Sequence, residues 1–154
     1  MTLTTHAAIG TAIGYTIHQP LLGFTVGLLS HFLVDMIPHG DSVLAEQLKV
    51  HRVNVKRIIA YGTVDAVIAL ILILAMFNVG GFPSTASFTA AVVGSILPDL
   101  LIGIYELTKT KYLVWFNRLH FFFHDYFILK YKDTRLTYAL AYQAVAVILI
   151  IKFL

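Results

Sequence analysis

Gly27-Leu-Leu-Ser-His-Phe-Leu-Val-Asp-Met-Ile-Pro-His-Gly-Asp41 is the stretch on which the fold turns. His31 and Asp35 stand four residues apart, on one face of a helix otherwise made of Leu, Phe, Val and Ile. Pro38 ends that helix, and His39 and Asp41 follow in the exit turn. Four potential ligands within eleven residues of an apolar chain are costly to bury unless they pair with something. Either the helix end meets water and each group is solvated, or other segments bring partners to the same depth. The rest of the chain favours the second.

Of 154 residues, 58% are hydrophobic and only 12% charged, and the mean hydropathy is +0.82. A soluble domain averages about 45–50% apolar and about 25% charged. The length suits one domain, residues 1–154, and the composition makes it an all-α polytopic membrane protein. Cysteine is absent, so disulfides and thiolate metal sites are excluded. A metal would be held by imidazole and carboxylate, for which seven His and eight acidic residues are present. No Lys or Arg precedes Lys49, so the N-terminus lacks the charged region of a cleaved signal, and the mature protein is expected to start at residue 1.

Apolar runs predict helices over about 4–18, 21–37, 58–79, 85–107, 112–129 and 136–153. The first two each carry a GxxxG seam, Gly10/Gly14 and Gly23/Gly27, and each seam continues at the same spacing into a ligand-type residue: His6 in the first, His31 and Asp35 in the second. Folded as a hairpin about Pro20, the two seams are expected to face each other and set His6 beside His31 and Asp35. Residues 58–79 are long enough to span, at about 1.5 Å per residue, and carry Asp65 some two turns inside. Residues 85–107 place Ser87, Ala91, Ser95, Asp99 and Gly103 on a third i+4 stripe, with Pro98 kinking the helix beside Asp99. Residues 112–129 are rich in Phe, Tyr and Trp and present Asn117, His120 and His124 on one face, with Asp125 beside it.

Charge placement orients these segments. With the basic break at 49–57 in the cytoplasm, 58–79 runs outward, 85–107 returns, and Lys109 and Lys111 lie inside. Treating 112–129 as an interfacial or re-entrant helix keeps ten of the eleven Lys and Arg cytoplasmic, leaving only Lys152 outside. The expectation is five spanning helices and one interfacial aromatic helix in the inner cell membrane, N-terminus in and C-terminus out. His6, His31, Asp35, Asp65, Asp99, His120 and His124 then all approach the cytoplasmic headgroup level from separate segments.

Carboxylates and imidazoles that converge without thiols suit one or two divalent cations such as Zn²⁺, Mn²⁺ or Fe²⁺. His31/Asp35 and His120/His124, each at i, i+4, are the way a helix offers two ligands to one ion. His39 and Asp41 are outer ligands or plain turn residues on the sequence alone. Nucleic-acid binding is not indicated: the pI of 9.2 follows from cytoplasmic loops, with no separate basic face. His18 and His51 fall in polar turns and read as solvated.

Thr5-His6, the segment from Gly27 to Pro38, Gly94-Ser-Ile-Leu-Pro-Asp99 and His120-Phe-Phe-Phe-His124 resemble the YdjM-type membrane-bound metal-dependent hydrolases. The likeness covers the motif segments, and their order differs: here the Ser-His segment precedes Leu-Pro-Asp, and Leu100 stands where that family has a second acid. The resemblance implies metal-ligand roles for His6, His31, Asp35, Asp99, His120 and His124. The function expected first is a metal-dependent hydrolase at the inner membrane face, acting on a phosphoester such as a lipid headgroup, with membrane lipid as its partner. Asp65 or Asp125 would serve there as general base or orient a His ligand. The alternatives are a non-catalytic membrane module with a structural metal or polar cluster, and a transporter. Nearly apolar outer halves such as residues 69–79 and 144–151 argue against the transporter.

Overall fold

Thr2 opens the first helix, accepting from the Thr5 amide, and the chain then runs as α1 (Leu3–Thr16) to an extended turn at Ile17. Pro20 starts α2 (Pro20–Asp35) from the first-turn position where its missing N–H costs nothing. The computed structural model describes residues 1–40 and 55–154, so Asp41 and His51, with Lys49 and Arg52 of the basic break, lie outside the described residues. Next come α3 (Val55–Val79), a turn at Gly80 and Gly81 with φ of 72° and 91°, and α4 (Thr85–Thr108), capped by Ser84. Lys109 closes α4 in the left-handed region; a 3-10 turn at Lys111–Leu113, α5 (Val114–His124), α6 (Ile128–Tyr131) and α7 (Leu136–Phe153) complete the chain. All described elements are helical.

Three helices are long and apolar enough to cross a membrane: Ile59–Val79, Thr85–Thr108 and Leu136–Phe153. Their outward residues, among them Ile71, Leu74, Val145 and Ile148, are exposed apolar groups that lipid would satisfy. The other two expected spans, α1 and α2, have 14 and 16 residues. At about 1.5 Å per residue they reach about 21 and 24 Å, less than the ~30 Å hydrocarbon layer. The aromatic segment is broken into short pieces, the longest being the 11 residues of α5, too short to span.

The seams pack differently from the hairpin expected from sequence. Both face α4 rather than each other. A Cβ on Gly10 would lie 2.2 Å from Ser95 Oγ, one on Gly14 2.8 Å from Phe88 Cα, and one on Gly27 2.4 Å from the Ala91 carbonyl. Gly94 answers from α4, where a Cβ would meet the Phe24 carbonyl at 2.3 Å. The reason is that α4 carries its own small-residue stripe, and three such stripes pack most closely with that helix between the other two. Register follows. Along α2, Gly23 meets Ser87 and Ala91, Gly27 meets Ala91 and Ser95, and the next i+4 step brings His31 to Ser95 and Asp99. Along α1, running the other way, Gly14 meets Phe88, Gly10 meets Val92 and Ser95, and His6 arrives at Asp99.

The two ends of the bundle differ in chemistry. Met76, Phe88 and Val92 form an apolar core at the far end, with Phe82 stacked on Phe88 at 4.7 Å between ring centroids. The near end buries polar groups instead: His6, His31, Asp35, His39, His120 and His124.

Candidate metal centre

Asp35, at the last turn of α2, is 1% exposed and is the hub of the buried polar end. Four imidazoles surround its carboxylate. His6 Nε2 lies 3.5 Å from Oδ1, His39 Nε2 3.7 Å from Oδ1, His120 Nε2 3.4 Å from Oδ2 and His31 Nε2 3.9 Å from Oδ2. Asp99, beside Pro98 on α4, closes the other side, with Oδ1 3.8 Å from His31 Nε2 and Oδ2 3.9 Å from His6 Nε2. Most of these separations exceed hydrogen-bond range. They match donors gathered round an ion: ligands about 2.1 Å from a tetrahedral centre stand about 3.4 Å apart.

Ring orientation supports the same reading. His31 Nδ1 donates to the Ser95 carbonyl at 2.9 Å, which fixes the tautomer and leaves the lone pair on Nε2 facing the carboxylates. His6 Nε2 and His31 Nε2 are both buried without a hydrogen-bond partner. An orphaned buried nitrogen is costly, and two side by side between two carboxylates are groups that a cation or a shared proton would satisfy. The His6 and His31 rings stack at 4.1 Å between centroids, and His31 and His120 lie 5.4 Å apart. His120 sits on α5, outside the membrane-length helices, and burial pushes its imidazole down to about 4. It is therefore neutral at physiological pH, the form that ligates metal. His31, Asp35, Asp99 and His120 each offer one donor atom within 4.8 Å of all the others, and so do Asp35, His39 and His124. His6 touches both carboxylates from the edge of the first group.

The elements explain how the residues arrive. The stripe of α2 delivers His31 and Asp35, and the antiparallel stripe of α1 delivers His6. α5 folds beneath them because Phe116, His120 and His124, spaced i+4, form its buried face, with Phe32 of α2 wedged against Phe116 and Phe123. The 36–40 turn is pinned to α7 by Tyr142 Oη donating to the Pro38 carbonyl at 2.6 Å, and to the segment before α7 by the Gly40 amide donating to Asp133 at 2.8 Å. Gly40 has φ of 83° and a Cβ there would meet Leu136 Cα at 2.7 Å, so only glycine fits this turn, which presents His39.

Six residues expected as ligands, His6, His31, Asp35, Asp99, His120 and His124, are brought together, with His39 added from the exit turn. Asp125 stands behind His124, accepting from its Nδ1 at 2.8 Å. Asp65 has a different place from the one expected. Its carboxylate accepts from the Leu3 amide at 2.6 Å, the Thr4 amide at 3.2 Å and the Thr4 hydroxyl at 2.6 Å, capping α1. Those partners turn it away from both donor groups. Gln143 was not singled out from the sequence. Its Oε1 accepts from the Thr2 amide at 2.8 Å and the Thr5 hydroxyl at 3.2 Å, helping to hold α1 in place. Its signal was being the one amide in the last apolar run.

No family model matches this chain, and neither a curated protein nor a solved structure matches it.

Proposed function

We propose that this chain is a membrane-bound metal-dependent hydrolase whose His/Asp site binds a divalent cation, Zn²⁺, Mn²⁺ or Fe²⁺, and acts on phosphoesters at the headgroup level. The observation that carries it is the pair of buried, unpartnered nitrogens, His6 Nε2 and His31 Nε2, between Asp35 and Asp99. A cation held there supplies a Lewis acid for a phosphoryl oxygen and lowers the pKa of water. His31, Asp35, Asp99 and His120 would hold it, with His6 alongside. Ser95 keeps His31 in the right tautomer. The motif resemblance to the YdjM-type hydrolases supports this reading, as does the exposure of the Asp99 side chain, 26%, on an otherwise sealed cluster. A headgroup would approach from that side. The topology that goes with the proposal has five crossings and places the site at the cytoplasmic face of the inner membrane, with α1 and α2 crossing as a short pair beside α4.

The depth of burial favours one further reading, a structural metal clip joining α1, α2, α4 and α5 without turnover, since His31 and Asp35 are 0% and 1% exposed. Headgroup release from phospholipid vesicles separates the two. Purified protein loaded with Mn²⁺ or Zn²⁺ is expected to release phosphorylated headgroup, to stop when stripped by chelator, and to lose at least 100-fold in rate as His31→Ala or His120→Ala. Bound metal without any hydrolysis would leave the clip.

A further inference from the structure

Asp35 belongs to two donor groups at once. One is His31, Asp35, Asp99 and His120; the other is Asp35, His39 and His124. Imidazoles face both oxygens of Asp35. Oδ2 faces His120 Nε2 at 3.4 Å and His31 Nε2 at 3.9 Å, while Oδ1 faces His39 Nε2 at 3.7 Å and, from the first site's edge, His6 Nε2 at 3.5 Å. A carboxylate with imidazoles on both oxygens, shared by two donor groups, has the geometry of a bridging ligand.

The imidazoles of the second group are held in place from outside. The Met1 amino group contacts Oδ1 and lies 2.7 Å from His39 Nε2, so a cation held there would take its place. His39 Nδ1 donates to the Ile37 carbonyl at 2.7 Å and His124 Nδ1 to Asp125 at 2.8 Å. Both rings therefore have their outer nitrogen fixed by an oxygen, the arrangement that orients metal-binding histidines. His39 and His124 are 2% and 6% exposed, and their rings meet edge to face at 4.8 Å.

We infer that the centre is binuclear: Asp35 bridges two divalent cations, the second held by His39 and His124, with Asp125 positioning His124. The inference rests on the metal-site reading above and narrows its substrate class, because two adjacent cations suit the attacking and leaving oxygens of a phosphoester displacement.

The test uses full-length protein in detergent, stripped and reloaded with Mn²⁺, with metal content and electron paramagnetic resonance as readouts. Wild type is expected to bind two equivalents and give the multiline spectrum of a coupled pair. The His39→Ala/His124→Ala double variant is expected to bind one equivalent and give an uncoupled six-line spectrum. One equivalent with a six-line spectrum in wild type would overturn the second site while leaving the mononuclear reading standing. No bound Mn²⁺ would remove both, and two equivalents retained by the double variant would overturn the assignment of its ligands. The wild-type spectrum carries the test even where the double variant does not fold.

Discussion

His31 carries in one side chain the geometry from which the proposed metal site is argued. One ring nitrogen is spent on the Ser95 carbonyl and the other faces two carboxylates at distances too long for hydrogen bonds. The i, i+4 pair His31/Asp35 was legible as a candidate, because one apolar face held both. The partner of Asp65 was not legible, since nothing in its own helix reveals that α1 starts against it. The two acids consequently make opposite predictions. Asp65→Ala removes the cap from the Leu3 and Thr4 amides, costing about 1–2 kcal/mol. It should lower the melting temperature in detergent and leave metal stoichiometry unchanged. Asp125→Asn, acting through His124, should keep the melting temperature of the stripped protein. Mn²⁺ affinity of its site should fall about 10–100-fold by isothermal titration.

Helix packing was half legible. Each i+4 stripe could be read from sequence, and each ran into a His or an Asp. Which stripe faced which could not be read, because three small-residue seams can pair in more than one way. The α4 stripe takes both, and that choice sets the level of the site. A side chain at Gly27 would collide with the Ala91 backbone at 2.4 Å, whereas at Gly62 and Gly103 it would meet nothing within 4 Å. Gly27→Val is therefore predicted to push α2 off α4 and carry His31 and Asp35 with it. It should lower both thermal stability and bound metal by at least half, while Gly62→Ala and Gly103→Ala should change neither. Equal behaviour of all three variants would contradict the register. The His120/His124 pair on α5 was legible as a candidate, but its position beneath α2 was not: Phe116, His120 and His124 share a buried face whose target lies far away in sequence.

Across the whole molecule, membrane character was legible from composition and three long apolar helices bear it out. Two of the expected crossings are short helices whose polar ends meet at the site, and their lengths depend on where Pro20 and Pro38 stop the chain. The proposed orientation puts the start of the aromatic segment inside and the α3–α4 turn outside. In this cysteine-free chain, Lys111→Cys should react with an impermeant maleimide only from the cytoplasmic side and Asn78→Cys only from the outer side. The reverse pattern would move the site to the other face of the membrane.

The most direct test of the account is metal content of the purified protein, comparing wild type with His31→Ala on α2 and His120→Ala on α5. The account predicts bound Zn²⁺ or Mn²⁺ in wild type and loss of at least one equivalent in both variants, because segments some ninety residues apart supply one site. Wild-type protein that takes up neither ion after incubation would contradict it, leaving a polar knot in a helical bundle.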